Sequence, residues 1–384
     1  MSKLLFTMEP AKLFFNGAPL SNPGVGIGAY GIRLLELLLE RRTEIRFSLN
    51  VLAPDWMPLQ LPPDAQVMRF AIPRTGIRLL DQMLWSQRLG AVAARRKAVL
   101  FSPGPFWSPC APKRAVVCHH DRIYHYFPRY LGRTGLRKWL AYRAELFLPR
   151  CAAVITESQH AKQDLTRIPG VDSQKIHVIR AWLPEGFNPA RAAAKVLEVR
   201  SKYRLPADYW LYVGGFDYRK NVELLLEAYA VEAECNPPLV LAGRLPSSKG
   251  PYCDIEGTMK RTGLDSSKVF FPGFVANEDM AGLYGGASLF IYPSLYEGFG
   301  LPPMEAMGCG CTAICADNSS LPEVVRDASH RFETRAPEPL VELLRQARAG
   351  RLPFNPSFSR EDFSETKAAE DTIRVLNEVA AMPA

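Results

Sequence analysis

The chain has 384 residues, a formal net charge of +8, and is 47% hydrophobic and 22% charged. That length exceeds what one core usually fills, so two domains are expected, and the balance of apolar and charged residues excludes a disordered or fibrous chain. Eight cysteines without a C-x-x-C pair read as reduced thiols, and the spacing of Cys309, Cys311 and Cys315 fits no common zinc site.

Residues 1–15 are mildly apolar but interrupted by Glu9 and Lys12. They lack a continuous apolar stretch and a cleavage site, so no signal peptide is expected. No run of about twenty apolar residues predicts a membrane span, and a cytoplasmic protein is expected. Residues 13–15 read as a strand, followed by a glycine loop and a helix through 32–39. Residues 47–52, 99–101, 116–118 and 153–156 read as further short buried strands. Such β-α alternation implies a parallel sheet with helices on both faces. Residues 183–205, punctuated by Pro184, Gly186 and Pro189, read as the connection to a second alternation. Its strands are expected at 210–213, 239–242, 269–271, 288–292 and 312–315, with a helix at 222–229 after the first. Ser359, three residues before Asp362, reads as the cap of a tail helix. The expected fold class is α/β, two doubly wound halves that place ligands at the carboxyl ends of their strands, in the cleft between them.

Charge divides unevenly. Residues 1–190 hold 26 Lys/Arg against 13 Asp/Glu, and residues 191–384 hold 21 against 26. The basic half suits an anionic partner. Residues 130–150 interleave Arg133, Arg137, Lys138, Arg143 and Arg150 with Leu136, Trp139, Leu140 and Phe147, and Arg74, Arg78 and Arg88 surround Leu79, Leu80, Met83 and Trp85. Basic amphipathic helices of this kind suit a membrane interface, or are ordinary surface helices with the core face inward. No recognition motif accompanies them, so no nucleic-acid partner is expected.

The stretch from Tyr292 to Val325 carries the most chemistry. It leaves a strand, passes through Glu297-Gly298-Phe299-Gly300, and enters a helix near Pro302. Free N–H groups in a first helical turn attract phosphate or hydroxyl oxygens, and glycines allow close approach. Glu297 and Glu305 flank this turn. Carboxylates repel phosphate, so they suit hydroxyl groups, such as those of a sugar and a ribose on either side of a diphosphate.

This E-G-F-G-L-P-P-M-E-A-M-G-C-G segment, followed by L-P-E-V-V, resembles the E-x7-E signature of family 4 retaining glycosyltransferases, which have the GT-B fold. The resemblance extends over four further segments. The loop Pro23-Gly24-Val25-Gly26-Ile27-Gly28 is similar to the family loop that faces the donor diphosphate, with Gly26 as the contacting glycine. Val116-Val117-Cys118-His119-His120-Asp121 resembles the active-site strand end, with His120 near the transferred sugar. Asp121 orients His120 or caps the next element. In Tyr212 to Asn221, Gly215 stands where the family commonly has arginine, and Arg219 stands beside Lys220 instead. Two cations at a helix start suit a diphosphate. The R-K-N variant resembles a subgroup that includes bacterial O-antigen mannosyltransferases. The segment around Phe274 resembles the loop that cradles the nucleobase, and Arg244 lies near the cleft in relatives or is structural.

The resemblance implies an acceptor-binding domain at 1–182, a nucleotide-sugar-binding domain at 183–358, and a tail at 359–384 crossing back onto the first. It implies a retaining hexosyl transfer, with GDP-mannose favoured as donor and a lipid-linked or growing surface polysaccharide as acceptor. Lys220 and Arg219 would stabilise the leaving diphosphate, and Glu297 would position the sugar with Gly298, Phe299 and Gly300. Leu301 N–H would face phosphate and Glu305 the ribose. No Asp-x-Asp occurs, so no metal or other cofactor is expected. A lipid-carried acceptor implies work at the cytoplasmic face of the inner membrane, in contact with anionic lipid. UDP-sugar transfer, nucleotide-sugar 2-epimerisation and a non-catalytic subunit are the other readings.

Overall fold

The computed structural model describes residues 11–22, 26–45, 47–131, 135–245 and 250–383. Residues 1–10, the loop residues 23–25 and Arg133 lie outside the described residues, as do the side chains of Arg78, Leu79, Leu136, Arg137, Lys138 and Leu140 named above.

The first sheet contains β1 (Ala11–Asn16), β2 (Phe47–Pro54), β3 (Val67–Phe70), β4 (Val99–Ser102), β5 (Ala115–Cys118), β6 (Ala153–Thr156) and β7 (Ile176–Val178). Their order is β3-β2-β1-β4-β5-β6-β7, parallel throughout. The second contains β8 (Trp210–Val213), β9 (Leu239–Ala242), β10 (Val269–Gly273), β11 (Leu289–Tyr292), β12 (Ala313–Ala316) and β13 (Arg331–Phe332), in the parallel order β10-β9-β8-β11-β12-β13. Continuous apolar runs make this possible, because a parallel sheet is covered on both faces. Leu13 and Phe15 enter one core of the first half while Phe14, between them, enters the other. Chain order reverses between β1 and β4 and between β8 and β11. These are the points where a crevice opens beyond the strand ends.

The edge strands β3, β7 and β13 were not among the expected elements. β3 is largely exposed, and β7 and β13 span three and two residues. Their apolar signal is too short for periodicity to register. The expected connection at 183–205 contains the helix Pro189–Tyr203. Pro189 occupies its first turn, where a missing N–H costs nothing, and the Asn188 side chain accepts from Arg191 N. The proline therefore starts a helix instead of marking a loop. Gly282 and Gly285 let the helix Met280–Gly285 close on it: an added Cβ would lie 2.7 Å from Val199 and from Ala192, respectively.

The tail also departs from expectation. Ser359 makes no capping bond and precedes only the short turn Arg360–Phe363. Ser364 accepts from Lys367 N at 3.3 Å and opens the helix Glu365–Ala381. Ala369, Ile373, Val375, Leu376 and Val379 of that helix lie in one core with Leu13, Phe15, Leu34 and Leu38. Arg33 pairs with Glu365 at 2.6 Å. Burying such side chains stabilises by about 1.5–3 kcal/mol each, so the tail is fastened to the first half.

Candidate active site

Adjacent strands set the geometry. β8 and β11 are neighbours, so the segments leaving their carboxyl ends meet. After β8 comes the turn Tyr218–Lys220, and Asn221 in the left-handed region (φ 54°) then admits the helix Val222–Ala230. After β11 comes the loop that carries Glu297. The Glu297 Oε1 atom accepts from Lys220 Nζ at 2.6 Å, Ser294 Oγ at 2.6 Å and Tyr292 OH at 3.0 Å. It also pairs with Arg219 Nη1 at 2.8 Å. Arg219 donates to the Tyr296 carbonyl at 2.5 Å and stands 3.7 Å from Asp217.

These charges are buried: Arg219 and Lys220 are 7% and 9% exposed. Burial would raise the Glu297 pKa, but Lys220 and Arg219 hold it down to about 2. Burial depresses the Lys220 pKa below the usual ammonium range against the pull of Glu297. One carboxylate thus fixes two cations at the mouth of the crevice, where an anion's oxygens can be met by groups already in place.

The loop's backbone is fixed by serines. Ser319 Oγ accepts from Glu297 N at 3.0 Å, and Ser320 Oγ donates to the Phe299 carbonyl at 2.7 Å. Gly300, at φ 121°, precedes the helix Leu301–Gly308. Phe299 is a core residue, 5% exposed, and Leu301 is 42% exposed at the helix start. Glu305 accepts from Tyr284 OH at 2.9 Å, and burial pushes its pKa up to about 7. Gly215 lies after β8, its carbonyl accepting from Tyr212 OH at 2.5 Å. Phe274 is 58% exposed beyond β10, with the Arg244 guanidinium 5.8 Å above its ring. The exposed Arg244 therefore faces an aromatic ring at the strand ends.

The first half supplies the opposite wall. His120 follows β5, and its Nδ1 lies 2.5 Å from Glu157 Oε1, just past the adjacent β6. Its Nε2 lies 2.8 Å from the Pro103 carbonyl. Burial would lower the His120 pKa, but the charge and hydrogen bond of Glu157 raise it to about 9. Both ring nitrogens then donate to oxygens, as an imidazolium does. Asp121 accepts from Ile123 N at 2.9 Å: it caps the next helix, and Glu157 is the group that orients His120. His119 is buried, and burial lowers its pKa to about 4. Gly26 opens the helix Gly26–Glu40 at φ 54° with nothing within 4 Å of an added Cβ. On that helix Tyr30 meets the His120 ring edge-on at 5.1 Å.

The halves touch at these loops. Ser158 Oγ donates to the Gly298 carbonyl at 2.7 Å, and an added Cβ on Gly298 would lie 2.5 Å from the His120 carbonyl. Glu323 accepts from the amides of Gln159 and His160, free groups of the helix Gln159–Thr166. Tyr296 OH donates to Asp164 at 2.8 Å and accepts from Arg122 N at 3.1 Å. Sequence reasoning missed Glu157, Tyr292, Ser294, Tyr296 and Ser319. Glu157 had a usable signal: β5 pairs Cys118 with Ile155, so His120 and Glu157, each two residues further on, fall side by side.

Two facing Rossmann-like halves with their polar loops gathered at one cleft define the GT-B fold. Residues 198–362 match the family described as "Glycosyl transferases group 1". Those residues carry a glycosyltransferase group 1 domain. The chain is 29% identical over 330 residues to O-antigen chain mannosyltransferase B of Escherichia coli, covering 83% of this chain and 85% of that one. It is 32% identical over 220 residues to the serotype-specific mannosyltransferase WbdA of Escherichia coli, covering 56% of this chain and 26% of that one. Among solved structures, WaaG, a glycosyltransferase involved in lipopolysaccharide biosynthesis, superposes with a TM-score of 0.69 at 14% identity, covering 95% of this chain and 99% of that one. At that identity the likeness is one of fold. No helix among the described residues is long and apolar enough to cross a membrane.

Proposed function

We propose that this glycosyltransferase is a retaining, metal-independent mannosyltransferase that uses GDP-mannose and extends a lipid-linked surface polysaccharide such as O-antigen. The carrying observation is the buried trio of Lys220, Arg219 and Glu297, in which both cations are aligned before any anion arrives. As the bond from the anomeric carbon to the phosphate oxygen breaks, negative charge grows on the diphosphate beside these cations. The acceptor oxygen bonds to the same face of that carbon, and its proton passes to the leaving phosphate. Four donors gathered on Glu297 Oε1 fix the orientation of the carboxylate, which supports a role in positioning. His120, held as an imidazolium with both ring N–H groups engaged by Glu157 and the Pro103 carbonyl, places positive charge beside the transferred sugar. Glu305 accepts from the ribose hydroxyls. The likeness to O-antigen chain mannosyltransferase B supports mannose and the acceptor class. The two cations supply the neutralisation that a metal gives elsewhere.

A contact with anionic lipid on the cytoplasmic face of the inner membrane completes the proposal. Trp139 is 36% exposed with Arg143 at 5.1 Å over its ring, in the basic half. Flotation with anionic liposomes tests this part, and absence of protein from the floating fraction removes it.

A thermal-shift panel of nucleotides and nucleotide sugars, with and without EDTA, tests the donor. Ligand binding to the native state raises the melting point by mass action. The expected result is selective stabilisation by GDP and GDP-mannose, unchanged by EDTA. Selective stabilisation by UDP compounds overturns the donor, and loss of the shift in EDTA overturns metal independence.

A further inference from the structure

A cleft of about 360 Å³ opens in the first half, beside the segment that follows His120. Arg122, His125, Tyr126, Tyr142, Glu145 and Arg167 line it. We propose that it is a secondary subsite for a neutral saccharide unit of the acceptor, lying behind the sugar that receives the transferred residue. The inference rests on the reading of the acceptor as a glycan.

Its chemistry is that of a hydroxyl-rich, uncharged ligand. Arg122 holds Glu145 through two bonds, Nε to Oε1 at 3.1 Å and Nη2 to Oε2 at 2.7 Å. Arg167 pairs with Asp164 at 3.0 Å. Two cations thus meet two carboxylates, and no net charge remains to favour a phosphate. Each Glu145 oxygen takes one bond from Arg122 and keeps a further lone pair for a hydroxyl, whereas Asp164 is buried and filled by Tyr126, Arg167 and Tyr296. Arg122 Nη2 also lies 3.2 Å from His125 Nδ1. A guanidinium can only donate, so Nδ1 accepts and the exposed Nε2–H is left as a donor. Tyr142 and Tyr126 are 61% and 39% exposed, and Leu146 is 38% exposed. They give an apolar wall for the C–H face of a sugar ring, beside fixed polar groups that set orientation.

The cleft is wired to the reacting centre. Arg122 N donates to Tyr296 OH, and the Tyr126 ring packs against Tyr296 at 5.0 Å, tilted by 39°. The Tyr296 carbonyl is the one bound by Arg219. One ring pair separates the cleft from the cation pair, so a bound glycan would run from the cleft toward His120.

Saturation-transfer NMR on the full chain tests this, using neutral tetrasaccharides of gluco, galacto and manno configuration and inorganic phosphate as the anionic probe. At least one tetrasaccharide is expected to bind in the presence of saturating GDP, and phosphate is not expected to displace it. Tyr142→Ala should weaken that binding at least fivefold and Tyr142→Phe should retain it. Tyr142 is exposed, so neither substitution should move the melting point. Failure of all three sugars to bind, equal binding by Tyr142→Ala, or displacement by phosphate overturns the subsite. GDP-mannose stabilisation, read in parallel, tests the donor reading separately: its absence sinks that reading while the tetrasaccharide result still decides the cleft.

Discussion

The two strand-end loops that face each other across the cleft solve the same problem in opposite ways. In the second half, two cations converge on one carboxylate, and Glu297 is held ionised with a pKa of about 2. In the first half, one carboxylate and one carbonyl hold a single histidine, whose pKa rises to about 9. Both loops thereby carry fixed charge through the neutral pH range. The second wall offers a cation pair with its own counter-charge, and the first offers one imidazolium. The difference teaches that the second loop is built around a strong anion, and the first around a group that meets a single fixed positive charge.

The largest effects should come from the second wall. Lys220→Ala is expected to lower kcat by about 10²–10³-fold, the usual cost of removing one donor to a developing oxyanion. The donor KM should move far less, measured by steady-state kinetics at saturating acceptor. Glu297→Gln should lower turnover similarly and also melt earlier. Breaking a buried ion cluster from one side costs about 3–5 kcal/mol. A near-normal rate in Lys220→Ala would remove the asymmetry between the walls.

This asymmetry was only partly legible from the sequence. The alternation of apolar runs located the central strands, because a covered parallel sheet writes itself as continuous hydrophobic segments. The E-x7-E segment and the Arg219-Lys220 pair were visible because they are contiguous. Glu157 lies 37 residues from His120, so the sequence offers only the neighbouring Asp121, as a partner for that histidine or as a cap for the next element. Only strand register brings Glu157 into place. Tyr296 sat unnoticed inside the motif, because its value depends on Asp164 across the domain boundary. The tail cap was misplaced by five residues, at Ser359 in place of Ser364, because both serines precede acidic residues and only packing of Phe363 into the core decides.

The first wall predicts a smaller, pH-dependent effect. His120 has a folded pKa raised from about 6.5 to about 9. The stability this contributes is fully present below about pH 6.5 and is lost as pH rises through about 9. Chemical denaturation from pH 6 to 10 should show that loss, and Glu157→Gln should flatten it. An unchanged slope in Glu157→Gln would show that the pair does not set the histidine's charge.

The contact between the walls is next. Tyr296→Phe removes the hydroxyl that donates to Asp164 and accepts from Arg122 N. Asp164 retains Tyr126 and Arg167 as partners, but the buried Arg122 N–H loses its acceptor, so the loss should be about 1–3 kcal/mol. A fall in kcat/KM of up to about tenfold with unchanged GDP stabilisation would mark Tyr296 as a residue that sets the walls' spacing. Equal losses in GDP binding would place its effect within the second half alone.

The smallest effect distinguishes the two glutamates of the second wall. Glu297 has its counter-charges and stays ionised. Glu305 has only the Tyr284 hydroxyl, and burial raises its pKa to about 7. Its protonated form is favoured by the fold, so the fold loses stability as pH rises from the ordinary range of about 4.3 to about 7, and above about 7 the carboxylate prevails. A carboxylate accepts hydrogen bonds from two ribose hydroxyls, whereas the acid offers one acceptor oxygen fewer. GDP affinity should therefore improve a few-fold between pH 6 and pH 8, read by isothermal titration. Glu305→Gln should bind more weakly and show no such change. A wild-type affinity that is flat across this range would mean that Glu305 is already ionised in the free protein, and the contrast between the two glutamates would disappear.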